Sequence, residues 1–288
     1  MLVGVLLSSL GRLLKEVLKD KLTPSELAAL YAGFDVVGDI AVIKVPAALL
    51  PKKHIIGEAL LASLKNLRTI LLQTTPVEGE YRLRGLEVVA GEPKFETIHK
   101  EHGCLYKVNL STAYFTPRLS AERLRVAEMV KEGEVVINMF AGVGPYSILI
   151  AKKVKVVKVF SIDNNPDAYR YMVENIKLNK VEDKVVPLFG DAAEVIKSRL
   201  QQVAERVIMP LPEKALTYLP IAYKALKEGK GTIHYYEHVF YEKDEDPLQK
   251  AVEHVKGKAE FKFDVEYAGV VRDVGPRLVQ VVLDLRVG

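Results

Sequence analysis

The sequence predicts an α/β chain in two parts: a doubly wound parallel-sheet domain in the C-terminal portion, and a smaller α+β domain before it. Three observations predict this. Beyond about residue 118, strand-like apolar runs alternate with helical runs. Before that point, short Val- and Ile-rich segments follow one another around a single helical stretch. A glycine-bearing loop at 140–144 joins one strand directly to a helix.

The elements follow in order. MLVGVLLSSLGRLLKEVLKD at 1–20 sets leucines at helical spacing, with Arg12, Lys15, Lys19 and Asp20 on the other side. It lacks a basic start and a small-residue cleavage site, so it reads as an amphipathic helix and not a signal peptide. FDVVGDIAVIKV at 34–45 predicts strands with a turn at Gly38-Asp39. Pro46 and Pro51 bracket a break, and 53–66 reads as a helix. Strands follow at 69–73, 86–90 and 104–110, with Gly91, Pro93 and Gly103 between them. LSAERLRVAEMVK at 119–131 reads as a helix with Ser120 as N-cap. Strands at 134–139, 156–162, 184–189, 205–209 and 230–237 then alternate with helices at 145–153, 166–179, 191–201 and 213–227. A helix at 247–256 and strands at 260–268 and 277–287 close the chain, the last two as an antiparallel hairpin at a sheet edge. The expected divisions are 1–33, 34–115 and 116–288.

Composition excludes several classes. The chain has 288 residues, of which 49% are hydrophobic and 27% charged. That is ordinary for a globular protein and rules out disordered, collagen-like and disulfide-stapled chains. No apolar run approaches the roughly 18–20 residues that span a bilayer. Cys104 is the only cysteine, which excludes an internal disulfide and makes a cytoplasmic location the expectation. Forty-one basic and 37 acidic residues leave a net charge of +4, compatible with a polyanionic partner without demanding one.

VVINMFAGVGPYSILIAKK at 135–153 carries the strongest local signal. A strand ends at Asn138, Phe140 enters the loop, and Gly142 and Gly144 permit a tight turn and close backbone approach to a ligand. Asp163 and Asn164 stand at the end of the second strand, where a carboxylate can accept both hydroxyls of a ribose. Asp191 and Ala192 stand at the end of the third strand, within reach of an adenine amino group. Pro210 and Pro212 stiffen the loop after the fourth. All lie at carboxyl ends of consecutive strands, where open α/β sheets bind ligands. The chain lacks both G-x-G-x-x-G and a phosphate loop, which disfavours dinucleotides and nucleoside triphosphates. The pattern N-x-F-A-G-V-G-P with a distal acid resembles the Rossmann-like class I methyltransferases that use S-adenosylmethionine (AdoMet).

A second segment narrows the resemblance. Tyr114-Phe115-Thr116-Pro117-Arg118-Leu119, Glu122-Arg123 and Arg125-Val126 resemble the junction of the archaeal and eukaryotic tRNA (guanine-37-N1)-methyltransferases. GEYRLRGLEVVAGE at 79–92, HGCLYKVNL at 102–110, INMFAGVGPYS and VIMPLP are also similar to that family, over roughly 34–288. The resemblance implies an RNA-recognition domain at 34–115 and an AdoMet-binding domain at 116–288. It implies methyl transfer to N1 of guanosine 37 in the anticodon loop of tRNA; a monomer and no metal are the further expectations. Glu122 would be the general base and Arg82 would steady guanine O6, while Tyr114 would hold the cofactor or the base. Arg84, two residues on, would share the side of Arg82 if that stretch were extended. Cofactor contacts would come from Arg123, Asn138, Phe140, Gly142, Gly144, Asp163, Asn164, Asp191, Ala192 and Pro210. Arg82, Arg118, Pro210 and Pro212 would meet the substrate.

Two departures stand out. Family members commonly have Asn-Leu-Pro where this chain has Pro210-Leu211-Pro212, which removes a side-chain donor and leaves room for a tricyclic wyosine precursor as substrate. The matching region also starts almost at once, so the additional N-terminal domain of many relatives is expected to be missing or reduced to one or two helices. The rival readings are aminocarboxypropyl transfer or carbon methylation in the wyosine pathway, an RNA-binding protein with a vestigial cofactor pocket, and a methyltransferase for small molecules or proteins. His99, His102 and Cys104 match no common zinc spacing. Tyr235, Tyr236 and Tyr241 could stack on a base or pack in the sheet. Lys52, Lys53, Lys65 and Arg68 could meet phosphates, though a solvated helix face is the ordinary reading.

Overall fold

The computed structural model describes residues 14–31 and 33–288. Most of the amphipathic helix expected over 1–20 lies outside the described residues; 14–18 are helical. The chain forms two compact units. One runs to Glu101 and adds Leu105–Arg118, and the other takes His102–Cys104 with Leu119–Gly288.

In the first unit, helix α1 (Pro24–Ala29) starts at a capping box: Thr23 Oγ1 accepts from the Glu26 amide, and Glu26 Oε2 accepts from the Thr23 amide. A four-stranded sheet has the order β1 (Asp35–Val37), β2 (Ile40–Ile43), β3 (Thr69–Gln73), β4 (Leu86–Gly91). The β2–β3 pair is parallel and the others antiparallel, so a crossover is required, and helix α2 (Lys53–Ser63) lies within it. Ile56 and Leu60 of α2 share a buried core with Ile43, Ile70 and Leu72, which Leu14, Leu18, Leu22 and Leu30 join. Lys52 and Lys53 are held by Glu26 at 2.7 Å and Glu87 at 2.6 Å.

A strand that the sequence reading left out, β5 (Glu96–Glu101), forms a two-stranded sheet with β6 (Cys104–Asn109). The reason is an inverted alternation: Thr97 and Glu101 are buried, while Ile98 is half exposed. Hydropathy alone cannot place such a strand.

The second unit opens with helix α3 (Ser120–Met129). Ser120 does not cap it. Leu119 occupies that position without a side-chain bond, and the Ser120 hydroxyl lies 2.9 Å from His102 Nε2. Helices α4 (Pro145–Lys153), α5 (Pro166–Leu178), α6 (Ala192–Arg199), α7 (Ala215–Ala225) and α8 (Pro247–Lys258) alternate with strands β7 (Val135–Asn138), β8 (Lys158–Asp163), β9 (Val185–Phe189), β10 (Arg206–Met209) and β11 (Gly231–Phe240). With β12 (Asp264–Gly275) and β13 (Leu278–Val287), the sheet order is β12-β13-β11-β10-β7-β8-β9. Strands β7 to β11 run parallel; β13 is antiparallel to β11, and β12 to β13. This is the doubly wound sheet with an antiparallel edge hairpin that the alternation predicts. Strand β11 extends three residues past the expected end because β13 pairs with it through Phe240. The chain moves outward from β7 to β9 and returns to β10 on the other side. The sheet therefore has its topological switch between β7 and β10.

Gly91 ends β4 with φ +85°, and a Cβ there would stand 2.1 Å from the Arg68 carbonyl oxygen. Gly91→Ala is expected to cost about 2–4 kcal/mol, combining left-handed strain with a backbone clash. Chemical denaturation measures it.

Candidate functional site

The switch point is built from backbone. The Met139 amide donates to Ile208 of β10 and the Ala141 amide to Ile162 of β8, each over 3.0 Å or less, so the loop after β7 is tied to both neighbouring strands. Gly144 turns the chain into α4 at φ +90°, where Ile148 and Met172 leave no easy room for a Cβ. Asp163, at the end of β8, accepts from the Gly142 amide at 2.6 Å and from the Asn165 amide at 2.9 Å. Burial pushes its carboxyl up and outweighs those two donors.

Asp191 is more committed than the sequence implies. One oxygen caps α6 through the Ala193 and Glu194 amides, and the other accepts the Tyr218 hydroxyl at 2.5 Å. Phe140 meets the Tyr218 ring edge-on at 5.1 Å, so Phe140, Tyr218 and Asp191 form one cluster. Asn138 donates to Ser147 Oγ, while its Oδ1 is buried without a hydrogen-bond partner. Ser161, directly beside it on β8, has its hydroxyl in the same condition. Ala192 and Pro212 are buried, and Asn164 and Pro210 partly so. Arg123 is almost wholly buried on α3.

On the same unit, Glu122 is buried in the first turn of α3. Arg125 holds both its oxygens at 2.8 Å through Nε and Nη2. The Tyr236 hydroxyl donates to Oε1 at 2.6 Å, and Tyr146 donates in turn to Tyr236. Burial and the Glu122 charge push both phenols up, so they stay protonated and act as donors. Arg125 also grips Asp284 of β13 at 2.6 and 3.1 Å. Behind Asp284 stand His234, Arg206 and Glu134 in a continuous hydrogen-bonded row.

The first unit carries the other predicted residues. Arg82 and Arg84 do not share an extended side. The chain turns at 79–82, where Arg82 donates to Gly79 and takes φ +56°, and Glu78 pairs with Leu83. The Arg82 guanidinium lies over the Tyr114 ring at 4.8 Å. Arg84 donates to Gln73, and burial lowers its affinity for its proton. Arg118 is bonded to Asp35 at 2.6 Å.

Sequence reasoning missed Arg125, Asp284, His234 and Tyr236 as site residues. A Glu–Arg pair three apart on a helix looks like an ordinary surface ion pair. Tyr235 and Tyr236 are fully buried, which settles their choice between stacking on a base and packing in favour of packing. His99 accepts from the Gly38 amide, and among the described residues no acid, His or Cys cluster could hold a metal.

Comparison with known proteins gives a family. Residues 97–266 match the TRM5/TYW2 methyltransferase domain, and 14–94 match the TYW2 N-terminal domain. The chain is 42% identical over 268 residues to tRNA (guanine(37)-N(1))-methyltransferase Trm5b of Pyrococcus abyssi, covering 92% of this chain and 78% of that one. The crystal structure of that Trm5b matches with a TM-score of 0.82 at 40% identity, over 93% of this chain and 78% of that one. The tRNA 4-demethylwyosine(37)-methyltransferase Taw21 of Saccharolobus solfataricus is 37% identical over 258 residues, 89% of this chain and 94% of its own. The structure of Methanocaldococcus jannaschii TYW2 in complex with AdoMet matches with a TM-score of 0.64 at 28% identity, over 88% and 98%.

Asp163→Ala is expected to release the Gly142 amide and raise the AdoMet dissociation constant at least about tenfold, the loss of one charge-assisted contact. The maximal methyl-transfer rate should change little. Calorimetry against AdoMet and single-turnover kinetics separate the two effects.

Proposed function

The chain belongs to the TRM5/TYW2 methyltransferase family, and from that membership we propose that it methylates N1 of guanosine 37 in tRNA with AdoMet, as a cytoplasmic monomer. Among the described residues, no helix is long and apolar enough to cross a membrane. The observation that carries the chemistry is the buried Glu122 carboxylate. Its Oε1 takes two donors, Tyr236 and Arg125, whereas Oε2 takes one, Arg125 Nε. A carboxylate oxygen has two lone-pair sites, so Oε2 keeps acceptor capacity for an incoming proton.

Guanine N1 carries a proton that must leave as the nitrogen attacks a methyl carbon. In this reading, Glu122 Oε2 takes it, a contribution of typically about 10²–10⁴-fold. Negative charge gathers on O6, where a guanidinium can stabilise it, and Arg82 is assigned that role. Tyr114, lying under the Arg82 guanidinium, holds that side chain in place.

The residues of the switch point fit AdoMet. Bound there, the cofactor supplies a methyl group activated by its sulfonium. Asp163 is the assigned ribose acceptor, and the amides after β7, with the Gly142–Gly144 turn, allow close approach. The unpartnered Asn138 Oδ1 is a buried acceptor that suits an ammonium group. Phe140, Asn164, Asp191, Ala192, Pro210 and Arg123 complete the assignment.

A second reading has its own support. Residues 14–94 match the TYW2 N-terminal domain, Taw21 is matched over nearly its full length, and Pro210 offers no side-chain donor to a base. Carbon methylation of a wyosine precursor at the same position is therefore the alternative. Transcripts carrying guanosine, adenosine or 4-demethylwyosine at position 37, followed by mass analysis of the nucleoside, decide between them. A methyl increment on guanosine alone supports the first reading; one confined to the tricyclic base supports the second.

Glu122→Gln is expected to leave AdoMet affinity within about twofold and lower the single-turnover rate by about 10²–10⁴. Wild-type turnover at saturating tRNA would remove Glu122 as the base.

A further inference from the structure

Arg125 is shared between two buried carboxylates. It presents Nε and Nη2 to Glu122, and Nη1 and Nη2 to Asp284, while its cationic face is covered by the Tyr267 ring at 4.5 Å. Asp284 is in turn bonded to His234 Nδ1 at 2.5 Å. The far nitrogen of His234 lies 2.8 Å from Arg206 Nη1. A guanidinium can only donate, so His234 Nε2 accepts, and Nδ1 carries the proton that binds Asp284. His234 is thereby a neutral imidazole, in keeping with the burial that lowers its proton affinity against the pull of Asp284. The row reads Glu134⁻, Arg206⁺, His234, Asp284⁻, Arg125⁺, Glu122⁻.

Counted this way, the row carries one negative charge more than positive. Arg125 balances Glu122 or Asp284 but not both. When Glu122 takes a proton, the excess disappears and the Arg125–Asp284 pair stays intact. We propose that Asp284 is a positioning residue for methyl transfer: by competing for Arg125 it keeps Glu122 basic, while Tyr236, donating to Oε1, sets the opposing limit and leaves Oε2 to receive the proton. This rests on Glu122 being the base.

Other charges near Glu122 do not blur the assignment. Arg123 and Arg125 lie on its own helix, Tyr146 on α4, and Tyr236 and His234 on β11, with Asp284 on β13. Of these, Asp284 is the one with negative charge. Burial pushes its carboxyl up, but bonds from His234 and Arg125 outweigh that and hold it at about 2, so it stays ionised across the working pH range.

The test is the pH dependence of single-turnover methylation of guanosine-37 tRNA, with AdoMet affinity and a thermal melt run alongside. Asp284→Asn removes the competing charge. Its acid limb is expected to move to lower pH by about one unit, with a plateau rate about tenfold lower. Asp284→Glu, which retains the charge, should restore the wild-type limb. Tyr236→Phe removes one donor from the carboxylate and should move the limb the opposite way, to higher pH. A merely structural role would lower rates without moving the two limbs in opposite directions. An unmoved limb in folded Asp284→Asn overturns the proposal. So does an unmoved or lowered limb in Tyr236→Phe, whether or not the Asp284 variant folds. Full activity of Glu122→Gln would instead overturn the base assignment itself, and the proposal with it.

Discussion

A single guanidinium joins the first helix of the catalytic unit to its last strand. Arg125 leaves α3 and closes on Asp284 of β13, while holding Glu122 on its own helix. Burying these charges is costly, and their attraction repays the cost only when each lone pair and N–H is matched. Here most of them are matched, by Tyr236 backed by Tyr146 on one side and by His234, Arg206 and Glu134 on the other, with one site on Glu122 Oε2 left over. Removing one member leaves an uncompensated buried charge, so the row constrains the sheet as much as it serves the carboxylate.

The row exists because of strand register. Asp284 stands directly opposite His234 in the β11–β13 pair, and Arg206 lies beside Thr232 in the β10–β11 pair. Side chains alternate across a sheet, so a slip of one residue would send His234 to the other face and break the connection at its middle. The apolar neighbours Ile233, Tyr235, Leu283 and Leu285 pack into the opposite core cluster, which makes such a slip expensive. The hydrophobic core thus fixes the polar row, and the polar row fixes the carboxylate.

This explains what could be read from sequence. The alternation after residue 118 reported local periodicity, and α4 begins and ends where that periodicity places it. The turn at Gly142–Gly144 was legible because glycine carries its own backbone signature. Strand β5 was not, because its exposed and buried positions contradict hydropathy. Ser120 was misread because a hydroxyl at a helix start can as easily serve a neighbour as the helix, and here it meets His102. Glu122 could be singled out only through the family resemblance. Its partner Asp284 is separated from it by almost the whole catalytic unit, and no local pattern marks a residue that matters through strand pairing.

The loop after β10 bears on which base edge the enzyme can hold. Pro210 and Pro212 have no amide hydrogen, and the Leu211 amide is already spent on the Met209 carbonyl at 2.8 Å. Across Pro210–Pro212 the backbone can accept hydrogen bonds, but it has no amide left to donate. Guanine presents donors on N1 and N2 and acceptors on O6 and N7. An acceptor-only segment suits the N2 amino group and has nothing to offer O6. The charge that gathers on O6 during attack therefore needs a cation from elsewhere in the chain.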